Sequence, residues 1–514
     1  MTRHDWIAVL DFGSQYTQLI ARRIREQHVY CEILRHDTTA EEIAKRSPHG
    51  LVLSGGPASV TKAGSPLVDP AIFELGVPVL GICYGMQLMA QMLGGEVQPG
   101  NQREFGGARI SVKESSGLFH GIEGDLEVWM SHGDQVSHMP GGFKANAKTS
   151  SCPVAAMSDT SRRFHGLQFH PEVVHTPRGI DILCAFLFQV CGCGADWTME
   201  HFITEQISSI QSRVGDGHVV CGLSGGVDSS VTAALVQKAV NGHLHCVFVD
   251  NGLLRYEEAQ SVREMFGDQF GMDLKVVEAG DLFLERLQGV TDPENKRKII
   301  GSTFIDVFAD AARTYGDAKF LAQGTLYPDV IESVSPIGGP SATIKSHHNV
   351  GGLPEDLKFT LIEPLRELFK DEVRALGREL GLGEKLVDRQ PFPGPGLAVR
   401  ILGDVTAERI ELLQQADRRV QEEVRKLPQY RDIWQSFAVL LPVQSVGVMG
   451  DDRTYENVVA IRAVQSLDGM TADWYRMPYD TLDAIASRII NEVRGINRVV
   501  YDISSKPPST IEWE

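Results

Sequence analysis

Residues 77–87 read VPVLGICYGMQ, an apolar run followed by a cysteine with a glycine two places to either side of it. The apolar run predicts a buried strand, and the residues after the cysteine predict a helix. Throughout residues 1–95, short apolar runs alternate with helix-like stretches in the same way. This alternation predicts βαβ units and a parallel sheet in the first part of the chain.

A more β-like part follows these units and ends in FHGLQFHPE at residues 164–172. A helix is expected next, with Thr176 as its N-cap and Pro177 at its first position. Small residues and glycines around Gly194 then predict the first domain boundary.

The second segment repeats the α/β rhythm, with strands HVVCGL, LHCVFVD and AKFLAQG. The run PFPGPG at residues 391–396 cannot continue a helix or a central strand, so it marks a second boundary. The last segment has the pattern of a small α+β unit. We predict an α/β protein with two doubly wound domains and a smaller third one, over residues 1–194, 195–390 and 391–514.

Composition narrows the class of protein. The formal net charge of −18 argues against the broad basic face that a nucleic-acid partner requires. No apolar stretch approaches the ~18–20 residues of a membrane span, and the N-terminus lacks the pattern of a signal peptide. The eight cysteines include no CxxC pair. We therefore expect a cytoplasmic protein with neither a membrane nor a nucleic-acid partner.

The cysteine in GICYG, Cys83, has the sequence context of a nucleophile elbow. Such a sharp turn from strand to helix lifts the side chain clear of the sheet, and the flanking glycines avoid clashes there. The positive end of the helix dipole would favour the thiolate. The alternative is a buried cysteine in a tight turn without a chemical role.

A partner for Cys83 appears in QFHPE, where His170 and Glu172 flank a proline. In an extended segment, residues two apart lie on the same face. The histidine can take the proton of the thiol, and the carboxylate can fix the orientation and tautomer of the ring.

GICYGMQ, LSGGP (53–57) and FHPEV together resemble the class I glutamine amidotransferases over residues 6–190. The resemblance implies a flavodoxin-like domain in which Cys83 attacks the side-chain amide of glutamine and releases ammonia. It also implies that His170 and Glu172 complete the triad. Backbone N–H groups for the tetrahedral oxyanion would come from Gly55 or Gly56 and from Tyr84.

The second segment carries GLSGGVDSS (222–230) between an apolar strand and a helix. A glycine-rich turn at a helix N-terminus presents backbone N–H groups to an anion. The string resembles the pyrophosphate loop of the ATP pyrophosphatase family, with an adenine-nucleotide α-hydrolase-like fold. The resemblance implies ATP cleavage between the α and β phosphates, aided by Mg²⁺, and binding by Ser224, Gly225, Gly226, Val227, Asp228, Ser229 and Ser230.

The metal ligand and the lid are assigned from less specific patterns. Asp228 is the expected carboxylate near the Mg²⁺ ion, although helix capping is a competing role for it. Residues 335–354 carry neither helical nor strand periodicity, which is typical of a functional lid or a disordered loop. Lys345 in this stretch would suit a phosphate contact.

The third segment resembles the C-terminal domain of the GMP synthase family in RTYENVVAIRAV, NRVVYDIS and the terminal KPPSTIEWE. With the other two domains in this order, the resemblance covers the whole chain. It implies amination of xanthosine monophosphate (XMP) with glutamine and ATP as co-substrates, and a homodimer formed through this domain. The implied XMP contacts are Arg297, Lys506, Ile511 and Glu512. Taken alone, the terminal residues have the composition of a solvated end.

Two other functions compete with this hypothesis. A tRNA-modifying thiolase also uses an SGGxDS loop, but it would be expected to show a basic face and further cysteines. Here the charge is acidic and no cysteine follows Cys246. A non-catalytic sensor on the same scaffold would often lack part of the triad or the phosphate loop, and both are present.

Overall fold

The computed structural model describes residues 4–113, 115–334, 359–449, 452–466, 469 and 471–514. Its backbone forms two compact units, which divide between Phe202 and Ile203. The predicted lid around Lys345 lies outside the described residues, so its role stays a prediction.

The first unit is built on a nine-stranded sheet in the order β2-β1-β3-β4-β9-β8-β7-β5-β6. The five strands from β2 to β9 in this order pair in parallel, and the remaining neighbours pair antiparallel. This arrangement confirms the expected βαβ start and the β-rich second half. The strands are β1 (Trp6–Asp11), β2 (Tyr30–Arg35), β3 (Gly50–Leu53), β4 (Val79–Ile82), β5 (Glu96–Val112), β6 (Asp125–His138), β7 (Lys144–Lys148), β8 (Ala156–Asp159) and β9 (Phe164–Leu167).

Helices connect these strands, and the central strands β3, β4 and β9 are buried along their whole length. Strands covered on both faces read as continuous apolar runs, which is why the sequence shows no alternation there. The helices are α1 (Thr17–Arg25), α2 (Ala40–Arg46), α3 (Tyr84–Met92) and α4 (Gly179–Cys184), with 3-10 turns at Pro70–Glu74 and Gly117–Phe119 and a π-helix at Ala185–Val190. Helix α5 (Met199–Val214) spans the point in the chain where the units divide.

The second unit begins with a five-stranded parallel sheet in the order β12-β11-β10-β13-β14. Reversal of strand order around β10 creates the crevice at the carboxyl ends where open α/β sheets bind ligands. The strands are β10 (His218–Leu223), β11 (Leu244–Asp250), β12 (Asp273–Glu278), β13 (Ala318–Ala322) and β14 (Thr360–Ile362). The helices are α6 (Val227–Val240), α7 (Glu258–Val262), a π-helix at Arg263–Gln269, α8 (Gly280–Leu287), α9 (Pro293–Arg313), α10 (Tyr327–Val334), α11 (Lys370–Glu379) and α12 (Glu384–Val387).

The rest of the second unit is a smaller α+β arrangement. A long antiparallel pair, β15 and β16, is flanked by β17 and by β18, which pairs with β16 in parallel. One apolar cluster contains buried residues from β10, β11, α9, α13, β15 and β16. The elements are a 3-10 turn at Gly396–Arg400, α13 (Ala407–Val424), a 3-10 turn at Tyr430–Asp432, β15 (Gln435–Met449), β16 (Asp452–Gln465), β17 (Asp473–Trp474), α14 (Tyr479–Glu492) and β18 (Ile496–Asp502).

The C-terminal residues are held by buried cations, so they are not the solvated end that their composition indicates. The fully buried Arg462 donates hydrogen bonds to the backbone oxygens of Ser504, Thr510 and Ile511, at 2.5, 3.0 and 3.4 Å. Lys296, also fully buried, donates to the Glu514 carboxylate at 2.5 Å. A buried cation is stable only when it is paired and hydrogen-bonded, and the tail supplies these acceptors.

The observed architecture confirms the predicted α/β fold class. The division into domains at residues 194 and 390 stays a prediction. Within the described ranges, no helix combines the length and the apolar character that a bilayer span would need.

Candidate functional site

Cys83 lies at the turn between β4 and α3, with φ of 52° and ψ of −105°. A positive φ is rare and strained for a residue with a side chain. Glycine at position 85 is required there, because a Cβ atom on it would lie 2.2 Å from the carbonyl oxygen of Leu53. A Cβ atom on Gly81 would lie 2.7 Å from the carbonyl carbon of Gly85. The two glycines therefore let the strand and helix approach closely enough to form the turn.

Backbone hydrogen bonds hold this turn to the strands on either side of it. The Cys83 N–H donates to the Leu167 carbonyl oxygen at 2.7 Å, at the end of β9. The Gly85 N–H donates to the Ser54 carbonyl oxygen at 3.1 Å, just after β3. The strained residue is thus fixed by its neighbours, as is typical of strain at a functional site.

His170 and Glu172 form a buried pair, with 2.7 Å between His170 Nδ1 and Glu172 Oε1. Burial alone would lower the pKa of His170. The charge of Glu172 and the hydrogen bond to Cys83 outweigh burial, so the pKa lies well above its usual value. The ring is accordingly ready to hold a proton beside the thiol.

The loop that carries His170 is anchored by Thr176, whose hydroxyl donates to the His170 carbonyl oxygen at 2.6 Å. The same hydroxyl oxygen accepts a hydrogen bond from the backbone N–H of Trp129 at 3.1 Å. The expectation that Thr176 caps a helix was wrong, because α4 begins at Gly179 and has Arg178 at its N-cap. The Thr176 hydroxyl instead contacts residues outside the helix, and the residue preferences at helix N-caps do not predict such a contact.

Two glutamines approach the thiol and were not predicted from the sequence. Gln168 Nε2 lies 3.8 Å from Cys83 Sγ and can donate a hydrogen bond to it. Gln87 Nε2 donates to the side-chain oxygen of Gln168 at 3.2 Å and to the carbonyl oxygen of Asp134 at 2.7 Å. On the other side, Cys83 Sγ donates to the Ser131 carbonyl oxygen at 3.6 Å. Both glutamines belong to the quoted motifs, but a neutral amide gives no signal of such a role.

The residues expected to supply oxyanion N–H groups lie around this site. A Cβ atom on Gly55 would lie 3.0 Å from Cε1 of His170, and one on Gly56 would lie 3.4 Å from Cγ of Tyr84. Tyr84 is the first residue of α3, where a backbone N–H has no acceptor within the helix. Gly55 therefore lies beside His170, and Gly56 lies beside Tyr84, the residue that follows Cys83.

The predicted phosphate loop connects β10 to α6. Gly225 has φ of 72°, and Gly226 is the N-cap of the helix. The hydroxyl oxygens of Ser224 and Ser229 lie 3.1 Å apart across the turn, at hydrogen-bond distance. Ser230 is fully buried and donates to the Gly226 carbonyl oxygen at 2.7 Å, so its hydroxyl supports the turn from within.

Two cations that the sequence did not single out reach this loop. Lys370 Nζ, on the first residue of α11, lies 2.5 and 2.6 Å from the two carboxylate oxygens of Asp228. Arg389 donates to the Gly225 carbonyl oxygen at 2.8 Å. Their sequence separation from the loop, more than 100 residues, is why local patterns did not indicate them.

The residues expected to contact XMP have partners within the protein. Arg297 contacts the backbone oxygen of Glu514, and Lys506 donates to the Gly469 carbonyl oxygen at 2.8 Å. Glu512 accepts from Arg400, at 2.9 Å and 3.1 Å, and from Gln435 at 2.7 Å. Ile511 packs against a small apolar cluster on β15 and β16. Glu512 and Ile511 are thus in contact with other side chains of the protein. Arg297 and Lys506 are each in contact with a backbone oxygen.

Comparison with known proteins agrees with this arrangement. Residues 8–190 match the family model of class-I glutamine amidotransferases, residues 198–299 that of NAD synthase, and residues 422–513 that of the GMP synthase C-terminal domain. A glutamine-hydrolyzing GMP synthase of Heliobacterium modesticaldum is 57% identical over 99% of this chain and 99% of its own. The chain belongs to the glutamine-hydrolyzing GMP synthase family.

Other full-length relatives with the same name support this assignment. Those of Geobacillus kaustophilus and Phenylobacterium zucineum are each 58% identical, over 99% of this chain and 99% of theirs. The family membership confirms the resemblance seen in the motifs. The roles of individual site residues stay predictions.

Replacing Glu172 with glutamine tests the electrostatics of the triad. We expect the pKa of His170 to fall, because burial remains while the charge of Glu172, the largest cause that raises it, is gone. In the parent protein the folded-state pKa exceeds the unfolded one, so protonated His170 stabilises the fold fully below about pH 6.5. That stabilisation is lost as the pH rises through the folded-state pKa, and the variant should lack it.

Histidine NMR titration measures this pKa directly. The matched control is Glu123→Gln, which neutralises an exposed carboxylate in the same unit. An unchanged His170 titration in the Glu172→Gln variant would show that the ion pair does not control the ring.

Proposed function

We propose that this glutamine-hydrolysing ligase converts XMP into GMP, with glutamine as nitrogen donor and ATP as the source of activation. Glutamate, AMP and pyrophosphate would be the other products. The observation that carries the first half-reaction is the strained Cys83 beside the buried His170–Glu172 pair. The second half-reaction rests on the glycine-rich loop at the start of α6.

In the first half-reaction, the thiol of Cys83 gives its proton to His170, and the resulting thiolate attacks the side-chain carbonyl carbon of glutamine. N–H groups from Gly55 or Gly56 and from Tyr84 would stabilise the oxyanion that forms. His170 gives its proton to the departing nitrogen, which leaves as ammonia. A thioester between Cys83 and the glutamyl group remains.

Water then releases glutamate from the thioester. His170, now neutral, takes a proton from the attacking water, and the thiolate leaves with the bond electrons. Glu172 holds the ring through Nδ1, so Nε2 is the nitrogen that exchanges protons with the thiol and the water. Gln168 can donate a hydrogen bond to the sulfur and so helps to hold it in place.

In the second half-reaction, an oxygen of the XMP base attacks the α-phosphorus of ATP and pyrophosphate leaves. The resulting adenylate converts a poor leaving group into a good one, and ammonia displaces AMP to give GMP. We assign the pyrophosphate to the turn formed by Ser224, Gly225 and Gly226 and the first turn of α6. Backbone N–H groups and the helix dipole favour an anion in this position.

Asp228, in the first turn of α6, would hold Mg²⁺ once its carboxylate oxygens exchange Lys370 for the ion. Mg²⁺ usually takes one or two carboxylates together with phosphate oxygens of the substrate. When bound, the ion would neutralise charge on the transferring phosphates. Lys370 has the length and charge to contact the phosphates as well.

We also propose that Arg297 and Lys506 contact XMP, in agreement with the motif resemblance. Each now donates to a single backbone carbonyl oxygen. A phosphate is the stronger acceptor for such cations, so this exchange is favourable. Glu512 and Ile511 would complete the site at the tail, and Lys345 would reach the phosphates from the lid.

The family's homodimer is supported by exposed apolar side chains on the long β15–β16 pair. Val446, Val448 and Tyr455 are 47%, 72% and 67% exposed, and Val446 pairs directly with Tyr455 across the strands. Clustered exposed apolar residues of this kind mark interaction surfaces. We assign this surface to the interface with a second copy of the chain.

The tRNA-modifying alternative is not favoured. The full-length relatives carry the name GMP synthase, and the C-terminal segment matches the model of the domain named after that enzyme.

Substitution of Cys83 by alanine separates the two half-reactions. We expect GMP formation with glutamine to be abolished, because no other group at the site can form the thioester. Formation with added ammonia should be close to that of the parent protein, since the second half-reaction does not use the sulfur. The measurement is GMP and AMP formation with each nitrogen source.

Normal use of glutamine by the Cys83→Ala protein would show that the nucleophile has been assigned wrongly. The formation of ADP in place of AMP would contradict the proposed cleavage between the α and β phosphates.

Substitution of Asp228 by asparagine tests the metal assignment. We expect the Mg²⁺ concentration for half-maximal AMP formation to rise by roughly tenfold or more, with either nitrogen source. Asp281→Asn is a matched control, because Asp281 also lies in the first turn of a helix, the one that follows β12 rather than β10. An equal Mg²⁺ requirement in all three proteins would exclude Asp228 as a ligand.

A further inference from the structure

Three side chains that could bind a metal ion meet in the first unit, outside the catalytic triad. Glu104 lies on β5, His132 on β6, and Cys152 in the connection between β7 and β8. One atom of each, a carboxylate oxygen, a ring nitrogen and the sulfur, lies within 4.8 Å of the other two. His132 is 5% exposed and Cys152 is fully buried, so the three form a cluster shielded from water.

The hydrogen bonds of His132 point to a cation beside it. Nδ1 lies 3.0 Å from the carbonyl oxygen of Asp134, which can only accept, so the ring proton is on Nδ1. With the proton on Nδ1, the neutral ring has a lone pair on Nε2. This lone pair faces a carboxylate oxygen of Glu104 at 3.1 Å. Two acceptors at this distance need a proton or a metal ion between them, and the sulfur of Cys152, close to both, makes a third ligand for a metal ion.

The surrounding residues orient these groups as metal ligands usually are oriented. Glu104 Oε1 accepts hydrogen bonds from the hydroxyls of Thr149, at 2.7 Å, and Ser151. The Thr149 hydroxyl oxygen also accepts from the backbone N–H of Cys152 at 2.8 Å. A metal-binding histidine commonly donates its other N–H to a backbone carbonyl, and ligating carboxylates are commonly hydrogen-bonded. Oε2 of Glu104 and Nε2 of His132 are therefore the atoms that are available to bind a metal ion.

We propose that Glu104 Oε2, His132 Nε2 and Cys152 Sγ bind a Zn²⁺ ion. A mixed set of oxygen, nitrogen and sulfur ligands suits zinc, whereas Mg²⁺ and Ca²⁺ prefer oxygen alone. One carboxylate and one thiolate balance the two charges of the ion, which makes the buried site neutral overall. A water molecule would complete four-coordination.

Binding requires the loss of one proton. The Cys152 thiol is buried beside the Glu104 carboxylate, and a cysteine binds a metal ion only as the thiolate. The bond from sulfur to zinc replaces the bond from sulfur to hydrogen, and the proton leaves to the solvent. Zinc affinity should therefore increase with pH.

The site has a direct connection to the nucleophile. The β6 residues Ser131 and Asp134 flank His132, and their carbonyl oxygens accept hydrogen bonds from Cys83 and Gln87. A zinc ion that joins β5, β6 and the β7–β8 connection would make this wall of the glutamine site more rigid.

The experiment uses the full-length Cys83→Ala protein, because the nucleophile itself could otherwise bind the metal. Co²⁺ serves as a spectroscopic probe for zinc, since a cobalt–thiolate bond gives a charge-transfer absorption. We expect one equivalent of Co²⁺ to produce this absorption, Zn²⁺ to abolish it, and about one proton to be released per metal ion bound. Further substitutions Glu104→Gln and Cys152→Ser should each weaken binding by roughly 10–100-fold.

Cys184→Ser and Cys191→Ser, in the same background, are the controls and should leave the titration unchanged. Glu104→Gln keeps size and shape, so it decides the question even if Cys152→Ser disturbs folding, which circular dichroism would reveal. A thiolate absorption that saturates at the same Co²⁺ concentration in the Glu104→Gln protein as in its parent, or no absorption with the parent protein, would overturn the zinc site. In that case His132 and Glu104 share a proton instead.

Discussion

The close approach of helix α3 to strand β3 is the constraint on which the first unit depends. No atom larger than hydrogen fits on Gly85 without meeting the Leu53 carbonyl oxygen. This approach forces Cys83 into a positive φ and brings its sulfur to the N-terminus of a helix, next to His170. The close packing at Gly81 and Gly85 therefore maintains the strain at Cys83. The stability of the surrounding sheet offsets the free energy of this strain.

Paired buried charges are the second feature that recurs through the molecule. The ion pair of His170 and Glu172 keeps a proton available at the sulfur. In the second unit, Lys296 and Arg462 hold the C-terminal residues by the same principle. Such pairs add little to stability relative to apolar packing, but loss of one partner leaves the other charge buried and unpaired. They therefore favour one arrangement of the loops and tail over its alternatives.

Local patterns in the sequence predicted the parts of the sites that lie within about ten residues of one another. GICYG and SGGVDS each encode a strand, a turn and a helix start, and the structure has both turns where these strings predict them. Contacts across the chain were not predictable in this way, except that of Cys83 with His170, which the two motifs together indicated. Lys370 reaches Asp228 from 142 residues away, and Lys296 reaches Glu514 from 218 residues away. Thr176 was misassigned as a helix cap because its hydroxyl binds the His170 carbonyl oxygen instead.

Covalent labelling of the nucleophile tests the central claim most directly. A diazoketone analogue of glutamine should alkylate the sulfur of Cys83, because that sulfur is held at the strained turn beside a proton donor. Peptide mass spectrometry of the labelled full-length protein should then find one adduct per chain, on the peptide that contains Cys83. An adduct on another cysteine, or none while glutamine is still hydrolysed, would contradict the account.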